Sequence, residues 1–289
     1  MNTFISFCLD IKRIKKETLL RALECLIRSL DFFNNTYKLI VYTNMDMVRQ
    51  NPFISIHACV TIVDLNLNDV TDYYFYVNDS PIWHNISFHK LVVCRNYAVK
   101  NNVSPIWIDL DTIVCRNIDH LSNYPNFFIT QGSNQNNLVD ITSTLSVPVN
   151  KMIQGNIWKV DADLYKRLFL LWDTIKKKPA YDSQSLFTIG YYQEKYDMNL
   201  LNDLDIDTIN GLDICSPDPN ILRHPRIDFL KDNIKMNEDS SIIHVSSGRI
   251  VQFFSFTFYT LEAFLNANSF DKFTCPYLKN FFNECGYIC

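Results

Sequence analysis

Asp109 and Asp111 stand one residue apart in the segment Ser-Pro-Ile-Trp-Ile-Asp-Leu-Asp-Thr-Ile-Val, residues 104 to 114. Two carboxylates offer hard oxygen ligands, and Mg²⁺ or Mn²⁺ takes such ligands while bridging to phosphate oxygens. On a continuing strand the two side chains would leave opposite faces, so they converge on one ion only where the backbone turns. Spacing alone does not single this pair out, because Asp161 and Asp163, Asp203 and Asp205, and Asp205 and Asp207 share it. Context separates them. The 109 and 111 pair follows a compact apolar run, the 203 to 207 set lies in a polar stretch, and Asp161 opens a helix.

The elements that must position the pair can be read from hydrophobic spacing. Residues 4 to 9, 38 to 43 and 60 to 65 are short, bulky, β-favouring runs, each predicted as a strand. Between the first two, Glu17 to Phe33 carries Leu19, Leu20, Leu23, Leu26, Ile27 and Leu30 at helical spacing. Ser87 is placed to cap a helix from Phe88 to Lys100, after which residues 105 to 108 form a strand that delivers Asp109 at its carboxyl end. Alternating strands and helices imply an α/β fold with a mostly parallel sheet, and ligands of such sheets bind beyond the carboxyl ends of the strands.

The second half is less regular. Phe127 to Thr130 reads as a strand, 131 to 150 as a long polar loop, and Ser241 to Val245 as another short strand. Asp161 caps a helix bearing Leu164, Leu168, Leu171 and Ile175, which ends in Lys176 to Lys178 and Pro179. Two aromatic helices are expected around 257 to 267 and 277 to 284.

At 289 residues and 47% hydrophobic content, the chain can bury a large core. A net charge of −4 with dispersed Lys and Arg argues against nucleic acid as partner. No secretory signal and no apolar run of membrane-spanning length is visible, so a cytoplasmic location, free or peripheral to the membrane, is expected. The aromatic stretch from Phe253 to Phe282 reads either as core packing or as a surface for a lipid-linked or glycan acceptor. The nine cysteines, an odd number without Cys-x-x-Cys spacing, read as separate reduced thiols.

The segment Ile-Trp-Ile-Asp-Leu-Asp-Thr-Ile-Val-Cys-Arg-Asn-Ile-Asp-His-Leu resembles the Asp-x-Asp segment of GT-A nucleotide-sugar glycosyltransferases. In style it is most similar to the family containing glycogenin and the bacterial lipo-oligosaccharide galactosyltransferases. The resemblance implies a Rossmann-like central sheet flanked by helices, with a helical aromatic C-terminal region. It implies that Asp109 reaches the ribose and a Mn²⁺ or Mg²⁺ ion, and that Asp111 ligates the metal. That family also carries a late-strand histidine followed by glycine and a basic residue. Ile-Ile-His-Val-Ser-Ser-Gly-Arg, 242 to 249, is similar, making His244 a candidate third ligand and Gly248 and Arg249 candidates for the diphosphate. The spacing departs from the family, which has a shorter gap and then Lys-Pro. A satisfied core histidine is the other reading of His244.

By the same resemblance, Gln154-Gly155-Asn156 is a small-residue turn beside the donor sugar, and its other reading is an ordinary turn. Tyr181-Asp182-Ser183-Gln184 resembles the helix start that faces the transferred sugar, with Asp182 and Gln184 as catalytic candidates; a plain N-cap also satisfies it. Arg95 and Lys90 lie on the helix before the metal strand, where the family supplies a basic group to the donor, although such residues also occur merely solvated. Asp10 and Asn44, at the ends of the first two strands, are placed by topology to meet the base and ribose.

The resemblance implies a metal-dependent hexosyltransferase moving a sugar from a nucleotide-diphosphate sugar, with a UDP-sugar favoured, to a glycan or lipid-linked acceptor in polysaccharide synthesis; retention is the family expectation, and inversion follows instead if a carboxylate base, Asp182 first, positions the acceptor. Residues 1–250 are expected as the catalytic domain, with a nucleotide-binding half (1–121) and a donor-sugar and acceptor half (122–250), and 251–289 as a helical extension packed on it. A haloacid-dehalogenase-like phosphatase also uses an apolar strand followed by Asp-x-Asp, but lacks here a convincing later lysine and acidic pair. A nucleotide-sugar pyrophosphorylase would need an early glycine-rich loop, and the first of only six glycines is at 132. A non-catalytic carbohydrate-binding protein remains a third alternative.

Overall fold

A computed structural model describes residues 1–11, 16–71, 82–131, 152–175, 183–201, 206–209 and 241–245. The chain groups into two compact units. The first takes Met1–Ile11, Thr36–Asp109 and Asp119–Asp203, and the second takes Lys12–Asn35, Leu110–Ile118 and Leu204–Cys289.

The first unit is built on a six-stranded sheet. β1 (Asn2–Cys8), β2 (Tyr37–Thr43), β3 (Val60–Asp64) and β4 (Ile106–Ile108) are short apolar runs, and they pair in parallel in the order β3-β2-β1-β4. Parallel strands require crossovers, so the sheet's faces must be covered, and all three residues of β4 are buried accordingly. β6 (Phe127–Gln131) and β7 (Met152–Lys159) complete the sheet, with β7 antiparallel to β4 and to β6.

Helices α2 (Asp46–Gln50), α3 (Pro52–Ser55), α4 (Leu67–Thr71) and α5 (Ile82–Asn101) fall between these strands; α6 (Ala162–Ile175) and α7 (Ser183–Tyr192) follow β7. One apolar core joins Phe7, Phe88, Trp107, Trp158, Tyr165 and Phe187. Each such side chain removed from water contributes roughly 1.5–3 kcal/mol. Asp161 caps α6 as its position predicts, its Oδ1 accepting from the backbone N–H groups of Asp163 and Leu164 at 3.1 and 2.9 Å.

Ser87 does not cap α5. The helix begins upstream at Ile82, so Ser87 lies inside it, and its hydroxyl instead meets the Ser183 hydroxyl at 2.7 Å.

The second unit carries α1 (Lys16–Phe32) and a three-stranded sheet ordered β5-β9-β8, from β5 (Thr112–Val114), β8 (Ile206–Ile209) and β9 (Ile242–Val245). α1 buries Leu19, Leu23, Leu26, Ile27 and Leu30, the stripe its spacing predicts. The Ser29 hydroxyl is the acceptor for the Val114 backbone N–H at 3.1 Å, tying α1 to β5. Asp207 sits within β8, so the stretch read from sequence as polar contains a strand; Ile206 and Ile209 flank it with β-favouring side chains.

The expected loop 131–150 falls almost wholly, and Lys176 to Lys178 and the aromatic helices beyond 250 fall wholly, outside the described residues. Among the described residues, no helix is long and apolar enough to cross a membrane.

Candidate active site

The acidic segment lies where two strands end and begin. β4 stops at Ile108 and β5 starts at Thr112, so residues 109 to 111 are a link in which the backbone turns. The Asp109 N–H still bonds the Asn156 carbonyl at 2.7 Å, extending the β4–β7 ladder by one residue before the chain leaves it.

In the first unit, Asp109 Oδ1 accepts from Lys90 Nζ at 2.6 Å and from Trp107 Nε1 at 2.7 Å. The Lys90 and Asp109 side chains are 16% and 19% exposed, which removes most solvent screening from the pair. Charge-assisted hydrogen bonds of this kind contribute about 1.5–3 kcal/mol. Lys90 is thus the basic residue of α5 that reaches the acidic segment. Arg95 is exposed on the same helix, its guanidinium 4.9 Å from the centroid of the Phe169 ring.

Gly155 is not in a turn. It lies in the interior of β7, with Gln154 and Asn156 buried on either side of it. The need for glycine comes from close approach: a Cβ there would meet Ser183 Oγ at 3.1 Å and Gln184 Cγ at 3.2 Å, at the start of α7. Gln184 Nε2 donates to Gln154 Oε1 at 3.4 Å, so strand and helix start also share a polar contact. Asn156 is 1% exposed, and its Nδ2 has no partner among the described residues. A buried amide donor left so is costly unless a ligand or water meets it. Asp182 precedes α7 and lies outside the described residues.

At the ends of β1 and β2, the Asn44 side chain bonds the Asp10 backbone in both directions, accepting from its N–H at 2.8 Å and donating to its carbonyl at 3.2 Å. Asn44 therefore shapes the Asp10 loop with its amide. Beside it, a polar cleft of about 460 Å³ opens past the carboxyl ends of β2 and β3, lined by residues that include Asn44, Asp46, Arg49 and Asp64. Arg49 pairs there with Asp46 at 2.9 Å and with Asp64.

In the second unit, Asp111 is 7% exposed and directly precedes β5. The antiparallel register of β5 and β9 sets Thr112 opposite His244, Ile113 opposite Ile243 and Val114 opposite Ile242. The ladder continues where the Cys115 N–H bonds the Ser241 carbonyl at 2.8 Å. The backbone of His244 is thus one pairing step from Asp111; its side chain, with Gly248 and Arg249, lies outside the described residues. Among the described side chains, no group of three His, Cys, Asp or Glu gathers as a metal cage.

Sequence reasoning missed Trp107. The signal was present, since residues two apart on a strand share a face and an indole N–H is a donor beside a carboxylate.

The six-stranded, mostly parallel sheet with its covering helices matches the GT-A-like fold of known glycosyltransferases. Mouse xyloside xylosyltransferase 1 in its apo form superposes with a TM-score of 0.56 at 11% identity, over 85% of this chain and 98% of that one. The galactosyltransferase LgtC, solved with donor and acceptor sugar analogues, gives 0.55 at 12% identity, over 85% and 87%. The apo WbbM bifunctional glycosyltransferase gives 0.54 at 14% identity, over 86% of this chain, which spans 46% of that longer one. At these identities the likeness is one of fold. No protein-family model and no curated protein sequence matches the chain.

Proposed function

We propose that this chain is a metal-dependent glycosyltransferase that moves a sugar from a nucleotide-diphosphate sugar, a UDP-sugar by preference, to an acceptor hydroxyl with retention of configuration. The observation that carries it is the Asp-Leu-Asp link after β4 on a GT-A fold, with the residue following Asp111 in register opposite His244. Asp111 and His244 are the proposed protein ligands of Mn²⁺ or Mg²⁺, with Asp109 assisting and reaching the ribose. Two carboxylates and one imidazole form a mixed oxygen and nitrogen donor set that suits Mn²⁺. Bound there, the cation would offset the charge that builds on the departing diphosphate.

The chain's own groups supply the rest. Lys90 holds Asp109 in place. Gly155 keeps the start of α7 close to β7, where the Gln184 and Gln154 amides meet. The buried Asn156 Nδ2, on the residue after Gly155, is a donor for a sugar hydroxyl. Asp182, directly before α7, stabilises charge at the transferred sugar. Gly248 and Arg249 serve the diphosphate, and the cleft beside Asn44 and the Asp10 loop receives the base. The acceptor is a glycan or lipid-linked sugar in surface-polysaccharide synthesis, met by the aromatic residues beyond 250 in peripheral contact with a membrane.

Incubation with a panel of UDP-sugars, with Mn²⁺ or with EDTA, tests this. Metal-dependent release of UDP is expected. Phosphate release from a simple phosphate ester, with no nucleotide release from any donor, would contradict it.

A further inference from the structure

Trp107 lies in β4 and Asp109 directly follows its last residue, two positions on, so their side chains leave the same face as long as strand geometry lasts. The ladder to β7 runs through Asp109, whose N–H bonds the Asn156 carbonyl, so strand geometry persists to the carboxylate. The Trp107 Nε1–H donates to Asp109 Oδ1 at 2.7 Å, and Lys90 Nζ donates to the same oxygen at 2.6 Å. The Lys90 ammonium also lies 5.1 Å from the centroid of the Trp107 ring, which closes a triangle of three mutual contacts.

The indole is a fixed donor. Trp107 is 1% exposed, stacked at 6.1 Å and 18° on Trp158, its register partner in β7, and met edge-on by Phe7 at 4.8 Å.

We propose that Trp107 is a positioning residue, whose N–H fixes the Asp109 carboxylate against Lys90 and so presents that carboxylate preorganised to a metal-bound nucleoside diphosphate. This rests on Asp109 serving that site. Outer partners that orient a ligand-binding carboxylate typically tune metal affinity by 10- to 100-fold.

Two measurements test it. Trp107→Phe keeps a ring between Phe7 and Trp158 and removes the N–H; calorimetric titration with UDP and Mg²⁺ is expected to show roughly tenfold weaker metal-dependent binding. In the wild-type protein, the ¹⁵N indole signal of Trp107 is expected to move on adding Mg²⁺ with UDP, and to differ in Asp109→Asn. Equal metal-dependent binding by wild type and Trp107→Phe overturns the positioning role. So does an indole signal indifferent to both Asp109→Asn and the ligand, which decides the matter even where Trp107→Phe does not fold. A wild-type protein that binds no nucleoside diphosphate with metal overturns the functional reading itself, and that result is distinguishable from the other two.

Discussion

Thr112 pairs with His244 across the antiparallel register of β5 and β9, so the residue after Asp111 is set opposite a histidine from the far end of the sequence. Strand pairing fixes this relationship, because a one-residue slip would move the histidine to the other face of the sheet. Its consequences for the protein can be measured.

Gly155 is expected to tolerate added side-chain atoms poorly. Gly155→Ala places a Cβ at 3.1 Å from Ser183 Oγ, a hydroxyl already paired with Ser87, so relief by a few tenths of an ångström strains that contact. A loss of about 1–2 kcal/mol is expected, larger for Gly155→Val. Urea unfolding midpoints measure it, and an Ala variant as stable as wild type would show that the two elements are less tightly joined.

Asp182→Asn is expected to lower turnover by about a hundredfold or more while leaving metal-dependent nucleotide affinity unchanged. Initial rates with a saturating donor, set beside calorimetric affinity, separate the two. Loss of affinity with retained turnover would remove Asp182 from the catalytic set.

Stability should fall at alkaline pH, in part through Cys8. Burial pushes this thiol from its ordinary 9.0 up to about 12. Above pH 9 the unfolded chain gives up the Cys8 proton while the folded one keeps it, so the folded state binds more protons and loses stability as pH rises. The contribution is complete below about pH 9 and is lost up to about pH 12. Between pH 8 and 10, wild type should lose about 1 kcal/mol more than Cys8→Ala. Parallel losses in urea midpoints would contradict this.

Much of the first unit was legible in the sequence because its strands are apolar runs of five to seven residues flanked by polar breaks, as in β1, β2 and β3. The end of β4 at Ile108 was legible for the same reason, whereas the turn through Asp109 to Asp111 entered only as a condition. β7 was not. Gln154, Gly155 and Asn156 have turn composition, and it is non-local pairing, such as the bond from the Asp109 N–H to the Asn156 carbonyl, that a local pattern cannot report. β5 and β8, three and four residues long, carry too little periodicity to announce a second sheet. Ser87 looked like a cap because its hydroxyl is well placed for one, and only the structure shows it spent on Ser183.

The most direct test is calorimetric titration of UDP into wild type and Asp111→Asn, with and without Mn²⁺. Asn preserves the size of this 7% exposed side chain while removing the charge that a cation needs. The account predicts that wild type binds UDP substantially tighter with Mn²⁺, and that the variant folds but loses that gain. An unchanged metal response in Asp111→Asn, or a wild-type protein that binds no nucleoside diphosphate, would contradict it.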